Sequence, residues 1–152
     1  MDGGDDNDYL RGFEGDDRLL GGNGSDVISG DAGMDVIIGG SGDDKLYGGD
    51  DVDAIYGDDP EGLLFGDDKI HGGAGADTIF GGFGDDVIHG GDGIDTIRGG
   101  AGEDTIYGDA GADIIDSGKG WDTIFGGEGC DEITTFDGGD VIWMGDCDGT
   151  ST

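Results

Sequence analysis

Gly21-Gly22-Asn23-Gly24-Ser25-Asp26-Val27-Ile28-Ser29 decides the reading of this chain, because the same nine-residue pattern recurs on both sides of it. Moving outward by nines from Gly21 gives fifteen units, the first starting at Gly3 and the last ending at Trp143. The register breaks once, where Pro60-Glu61-Gly62-Leu63-Leu64-Phe65 interrupts the seventh unit between Asp59 and Gly66, and removing those residues restores the period. The sixth position is Asp in every unit: Asp8, Asp17, Asp26, Asp35, Asp44, Asp53, Asp68, Asp77, Asp86, Asp95, Asp104, Asp113, Asp122, Asp131 and Asp140. The eighth is always Leu or Ile: Leu10, Leu19, Ile28, Ile37, Leu46, Ile55, Ile70, Ile79, Ile88, Ile97, Ile106, Ile115, Ile124, Ile133 and Ile142. Position one is Gly except at Ser117 and Thr135, and position four is Gly except at Asp6 and Asp51. Two columns held over fifteen copies mark a repeat architecture, in which each unit buries its apolar residue against its neighbours.

Composition sets the condition for folding. The 152 residues include 40 Gly and 38 Asp plus Glu against six Lys plus Arg, a formal charge of −32. Repulsion of that size opposes any compact state, and low hydrophobicity with high charge otherwise reads as disorder. The acids must therefore be neutralised. Nucleic acid is excluded as a partner, since phosphate binding needs a basic footprint. No apolar run is long enough for a membrane-spanning helix, and the acidic start Met1-Asp2-Gly3-Gly4-Asp5-Asp6 is not a signal peptide.

The pattern G-G-x-G-x-D followed by a strand with a central aliphatic residue resembles the repeats-in-toxin (RTX) family over residues 3–143, nearly the whole chain. The resemblance implies an all-β fold: a right-handed parallel β-roll, or β-solenoid, of two short parallel sheets with 18 residues per turn. In it, the first six residues of each unit form a metal-binding turn and the last three a strand, with residues 144–152 as a C-terminal tail or cap. It also implies calcium as the cofactor. Chemistry agrees. Glycines let the backbone take positive φ and present carbonyls, the Asp column supplies hard carboxylate oxygens, and calcium accepts six to eight such oxygens in tolerant geometry. Turns two units apart stack at about 4.8 Å, so ions between neighbours number at most about thirteen, about +26 against −32. Few charged ligands per ion place the affinity near 10⁻⁴–10⁻³ M. One aliphatic residue per unit makes a thin core, so metal binding is expected to supply folding free energy.

Positions seven and nine face outward. In odd-numbered units position nine reads Arg11, Ser29, Tyr47, His71, His89, Tyr107, Phe125 and Trp143, an expected aromatic ladder. In even-numbered units it includes Leu20, Ile38, Tyr56 and Phe80, which with Val36 and Ala54 predict an exposed apolar patch. The stacked His71 and His89 read as part of the ladder rather than as a transition-metal site. Cys130 and Cys147, seventeen residues apart, are neighbours on one edge, either a disulfide staple or two thiols. No zinc helix, nucleophile elbow or phosphate loop is present, so the chain reads as a non-catalytic module, extracellular or at the cell surface. The alternative is an adhesive or self-assembling module joined through its ends or its apolar face. Ice binding is disfavoured, because Thr78, Thr96, Thr105 and Thr123 divide between two sheets.

Overall fold

A computed structural model describes residues 1–59, 65–145 and 147. Its strands are β1 (Asp2–Asp5), β2 (Tyr9–Glu14), β3 (Arg18–Asn23), β4 (Val27–Ala32), β5 (Val36–Ser41), β6 (Lys45–Asp50), β7 (Ala54–Asp58) and β8 (Lys69–Ala74). They continue as β9 (Thr78–Phe83), β10 (Val87–Asp92), β11 (Thr96–Ala101), β12 (Thr105–Ala110), β13 (Ile114–Lys119), β14 (Thr123–Phe125), β15 (Glu132–Thr134) and β16 (Val141–Trp143). Odd-numbered strands form one sheet in chain order and even-numbered strands form the other. Every pairing is parallel and joins strands two apart, so the chain coils as a β-solenoid of about eight turns.

The repeat sets the register. Leu19 pairs with Ile37 and Ile37 with Ile55, one turn of eighteen residues each. Across the insertion the step becomes 24, Leu46 to Ile70 and Ile55 to Ile79, with like positions still opposed. The extra six residues therefore leave both ladders in register. Residues 60–64 lie outside the described residues; Phe65 is exposed and meets Phe83 edge-on, ring centroids 5.1 Å apart.

Period-two alternation turns position eight inward and positions seven and nine outward. The twelve residues from Leu19 to Ile124 in this column form one cluster between the sheets, each at most 1% exposed. Each such burial contributes about 1.5–3 kcal/mol. The column fails at its ends. Leu10 and Ile133 are only partly buried, and Ile142, on β16 at the edge of the described sheet, is 40% exposed. Membership of Ile142 in the core is thus corrected.

Two further expectations change. Most strands run six residues rather than three, continuing through positions one to three of the next unit, as Asp31 paired with Gly49 and Gly22 with Gly40 show. The glycine pair bends the chain without ending its pairing. The predicted apolar patch is also smaller, since Ile38 is only 6% exposed and Leu20, Tyr56 and Phe80 are half-buried. Thr78 and Thr96 pair in one sheet, Thr105 and Thr123 in the other. The aromatic column stacks from Tyr47 to Trp143, with centroids 4.4–5.5 Å apart and planes within 13°.

The two edges differ at position five. On one, side chains bridge successive turns: Ser25 N–H donates to Asn7 Oδ1 (2.9 Å), Asp85 N–H to Asp67 Oδ1 (2.9 Å) and Glu103 N–H to Asp85 Oδ1 (2.7 Å). On the other, the same position begins with Asp16, whose Oδ1 accepts Met34 N–H (3.0 Å), and then holds Met34, Val52, Ala76, Ile94, Ala112 and Cys130, an exposed apolar row.

Candidate metal centre

The position-six aspartates sit at the corners, just before each strand, with their side chains turned inward. From Asp8 to Asp122 their backbones are engaged at both the carbonyl and the N–H. The carbonyl of Asp26 accepts Lys45 N–H (2.9 Å), and that of Asp68 accepts Val87 N–H (2.9 Å). From Asp8 to Asp122 each Asp N–H donates to Oδ1 of the aspartate one turn later: Asp26 to Asp44 (2.8 Å), Asp68 to Asp86 (2.9 Å), Asp95 to Asp113 (2.9 Å). A carboxylate accepting a backbone N–H makes a charge-assisted bond, stronger than a neutral one.

The second oxygen is left over. Among the described residues, Oδ2 is buried without a hydrogen-bond partner in thirteen of the fifteen aspartates, all but Asp17 and Asp140. Buried polar atoms are normally satisfied, and one left alone costs about 1–3 kcal/mol, more when charged. These atoms face the space in front of position one. A side-chain carbon built on Gly90 would lie 2.5 Å from Asp95 Oδ2 and 2.7 Å from the Gly108 carbonyl oxygen. Gly3 is similarly confronted by Asp8 Oδ2 (2.6 Å) and the Gly21 carbonyl (2.7 Å). Glycine at position one thus keeps open a cradle where a carboxylate oxygen converges with a carbonyl of the next turn. Ser117 and Thr135 are the exceptions, and Ser117 is fully buried, its Oγ also without a partner among the described residues.

Burial governs the acidity of these groups. Removal from water pushes Asp44, Asp53, Asp68 and Asp104 up to about 7, Asp86 to about 8, and Asp95 and Asp113 to about 6. Asp35 and Asp77 are raised for the same reason. Backbone hydrogen bonds offset part of the rise, and neighbouring carboxylates add to it for most of these groups. Such sites either hold a proton or need a cation.

The donor set fits a hard divalent ion: a carboxylate oxygen per turn, with main-chain carbonyls beside it. Among the described residues no three His, Cys, Asp or Glu side chains converge, which disfavours a soft metal caged by side chains. His71 and His89 are spaced as ladder rungs, rings 4.7 Å apart, and His89 Nδ1 lies 3.0 Å from Asp109 Oδ2. Cys130 and Cys147 do converge, Cys130 Sγ lying 3.4 Å from the Cys147 carbonyl oxygen, with no bond between the sulfurs. The position-five row and the Ser117 hydroxyl were missed in the sequence. Reading columns at a period of eighteen would have shown the former.

No curated protein and no solved structure matches the chain. A family model for the RTX calcium-binding nonapeptide repeat (four copies) matches residues 1–28, 29–59, 64–97, 89–120 and 118–146. With nearly its whole length accounted for by those matches and by the corner geometry above, the chain belongs to the RTX calcium-binding nonapeptide repeat family.

Proposed function

We propose that this chain is a calcium-responsive structural module of an extracellular or surface protein, folding as ions enter between stacked turns. The observation that supports it is the column of buried, unpartnered Asp Oδ2 atoms facing carbonyls of the next turn. The position-six aspartates would hold the ions, with carbonyls of the glycine turns completing each shell, up to about thirteen ions in all. Calcium supplies charge neutralisation there; the chain supplies oxygens in fixed register. Folding is then linked to the calcium level, absent in low-calcium cytosol and complete outside the cell. The module stiffens and presents whatever neighbours it and performs no chemistry itself. Far-UV circular dichroism and sedimentation during a calcium titration test this. A cooperative gain of β-structure near 10⁻⁴–10⁻³ M is expected, with magnesium much weaker. A full β-spectrum in excess chelator at about pH 8, where the buried aspartates are ionised, would falsify the reading.

A second reading, an adhesive or self-associating module, is favoured by the position-five row, where Met34, Val52 and Ile94 are 57%, 48% and 61% exposed. Exposed apolar rows of this kind mark contact surfaces. The same sedimentation run separates the two, since the first reading keeps the calcium-loaded chain at 15.3 kDa.

A further inference from the structure

On the odd-strand sheet, position two of successive turns reads Asp58, Gly82, Gly100, Gly118 and Phe136. Gly100 pairs with Gly82 on one side and with Gly118 on the other. Three rungs therefore lack any side chain, and the column is closed at one end by an acid and at the other by an aromatic ring. The result is a trough of about 420 Å³ with a floor of bare peptide. Arg98 and Asp116 stand along one wall, and Phe83, Ala101 and Lys119 along the other.

We propose that this trough binds a small aromatic monocarboxylate. Its volume falls in the range of about 300–1,000 Å³ usual for small-molecule sites. Phe83 and Phe136 are 39% and 64% exposed at its rim, and a floor without Cβ atoms lets a flat ring lie against the peptide planes between them. Charge selects the rest of the ligand. Two of the chain's six cations face this one groove. Arg98 is partly engaged, its Nε 3.7 Å from Asp116 Oδ2 and its guanidinium 5.7 Å from the Phe80 ring centre. Lys119 faces no carboxylate within ion-pair distance among the described residues. Of the residues that line the groove, Arg98, Lys119 and Asp116 leave one net positive charge, which matches one carboxylate, and Asp58 lies outside that lining. Asp58, at the far end, already accepts Phe83 N–H at 2.7 Å. An anion approaching a chain of charge −32 is repelled unless cations are loaded, so this proposal rests on the calcium reading.

The test uses the full chain in excess calcium, 2-naphthoate, its neutral amide 2-naphthamide, and amide NMR. Naphthoate should shift the amides of Gly82, Gly100, Gly118 and Lys119 saturably, and bind about fivefold tighter than naphthamide, the scale of an exposed ion pair. Lys119→Gln should erase that preference. Ala101→Phe should block both ligands, and Phe83 at the same position one turn earlier shows that the fold accepts that ring. A collapsed, undispersed spectrum in calcium would count against calcium-driven folding. A dispersed spectrum with no saturable shift, with shifts on the aromatic ladder instead, or with equal affinity for acid and amide would overturn the trough.

Discussion

Acid should fold the metal-free chain, the reverse of ordinary acid denaturation. Seven buried aspartates, Asp44, Asp53, Asp68, Asp86, Asp95, Asp104 and Asp113, have folded-state values of about 6 to 8 against 3.8 for the free side chain. A raised folded-state value means that the folded chain binds protons more tightly. Their stabilisation is therefore fully present below 3.8 and is lost as pH rises through about 6 to 8. Going from about pH 8 to about pH 5 gains about 1.4 kcal/mol per carboxylate for each unit below its folded-state value, and the total is less than the simple sum because neighbouring carboxylates raise one another and that effect fades as they protonate. At about pH 5 the chain is still above its isoelectric point of about 4.1 and keeps negative charge for solubility. Circular dichroism in excess chelator should show a disordered chain at about pH 8 and a β-spectrum at about pH 5. With calcium present, protons compete for the same oxygens, so the calcium midpoint should rise as pH falls. A metal-free chain equally disordered at both pH values would refute the burial argument.

Asp86→Asn keeps the shape that accepts Asp68 N–H at 2.9 Å and removes the charge. In calcium a hundredfold above its dissociation constant, loss of one site should cost about 2.7 kcal/mol in urea unfolding, whereas the exposed Asp92→Asn should change stability by less than about 0.5 kcal/mol. Gly93→Ala and Gly4→Ala separate conformational from steric cost. Both glycines have positive φ, +142° and +101°, but a Cβ on Gly93 collides with the Gly75 carbonyl while one on Gly4 meets nothing within 4 Å. Melting in calcium should show about 1–2 kcal/mol for Gly4→Ala and clearly more for Gly93→Ala; equal losses would discount the stacking clash. Mild oxidation should join Cys130 to Cys147, seen as an intact mass lower by two hydrogens and adding up to about 3 kcal/mol. An unchanged mass would leave them as two thiols.

The period, the buried column and the inward acids were legible because each obeys a nine-residue rule. Features that follow the eighteen-residue coil, or that depend on neighbours, were not. Met34, Val52 and Ile94 look unrelated to Ser25, Asp43 and Asp85 until odd and even turns are separated, and only then does one edge become apolar and the other hydrogen-bonded. The glycine pairs read as turn, yet Gly22 and Gly40 stay paired, because parallel neighbours bend together and keep their register. Ile38 matches its outward neighbours in pattern, and its burial is a tertiary fact that no column predicts. Ile142 obeys the core rule but lies on the last described strand of its sheet, where it is 40% exposed.

The bonding pattern also fixes how calcium must act along the coil. From Asp26 to Asp131 each aspartate of this column gives Oδ1 to the turn before it and keeps Oδ2 for the space beside the turn after it, as Asp95 does with Asp77 and Gly108. No corner is complete alone: its backbone N–H waits for the next carboxylate, and its carboxylate waits for the next carbonyl. An ion entering one gap therefore fixes the oxygens of its neighbours, and ordering spreads between adjacent turns, as it does in other repeat arrays. Binding sites that were independent would give a gradual calcium titration, and sites coupled in this way give a steep one. The steepness of the folding transition thus measures how strongly successive turns depend on each other.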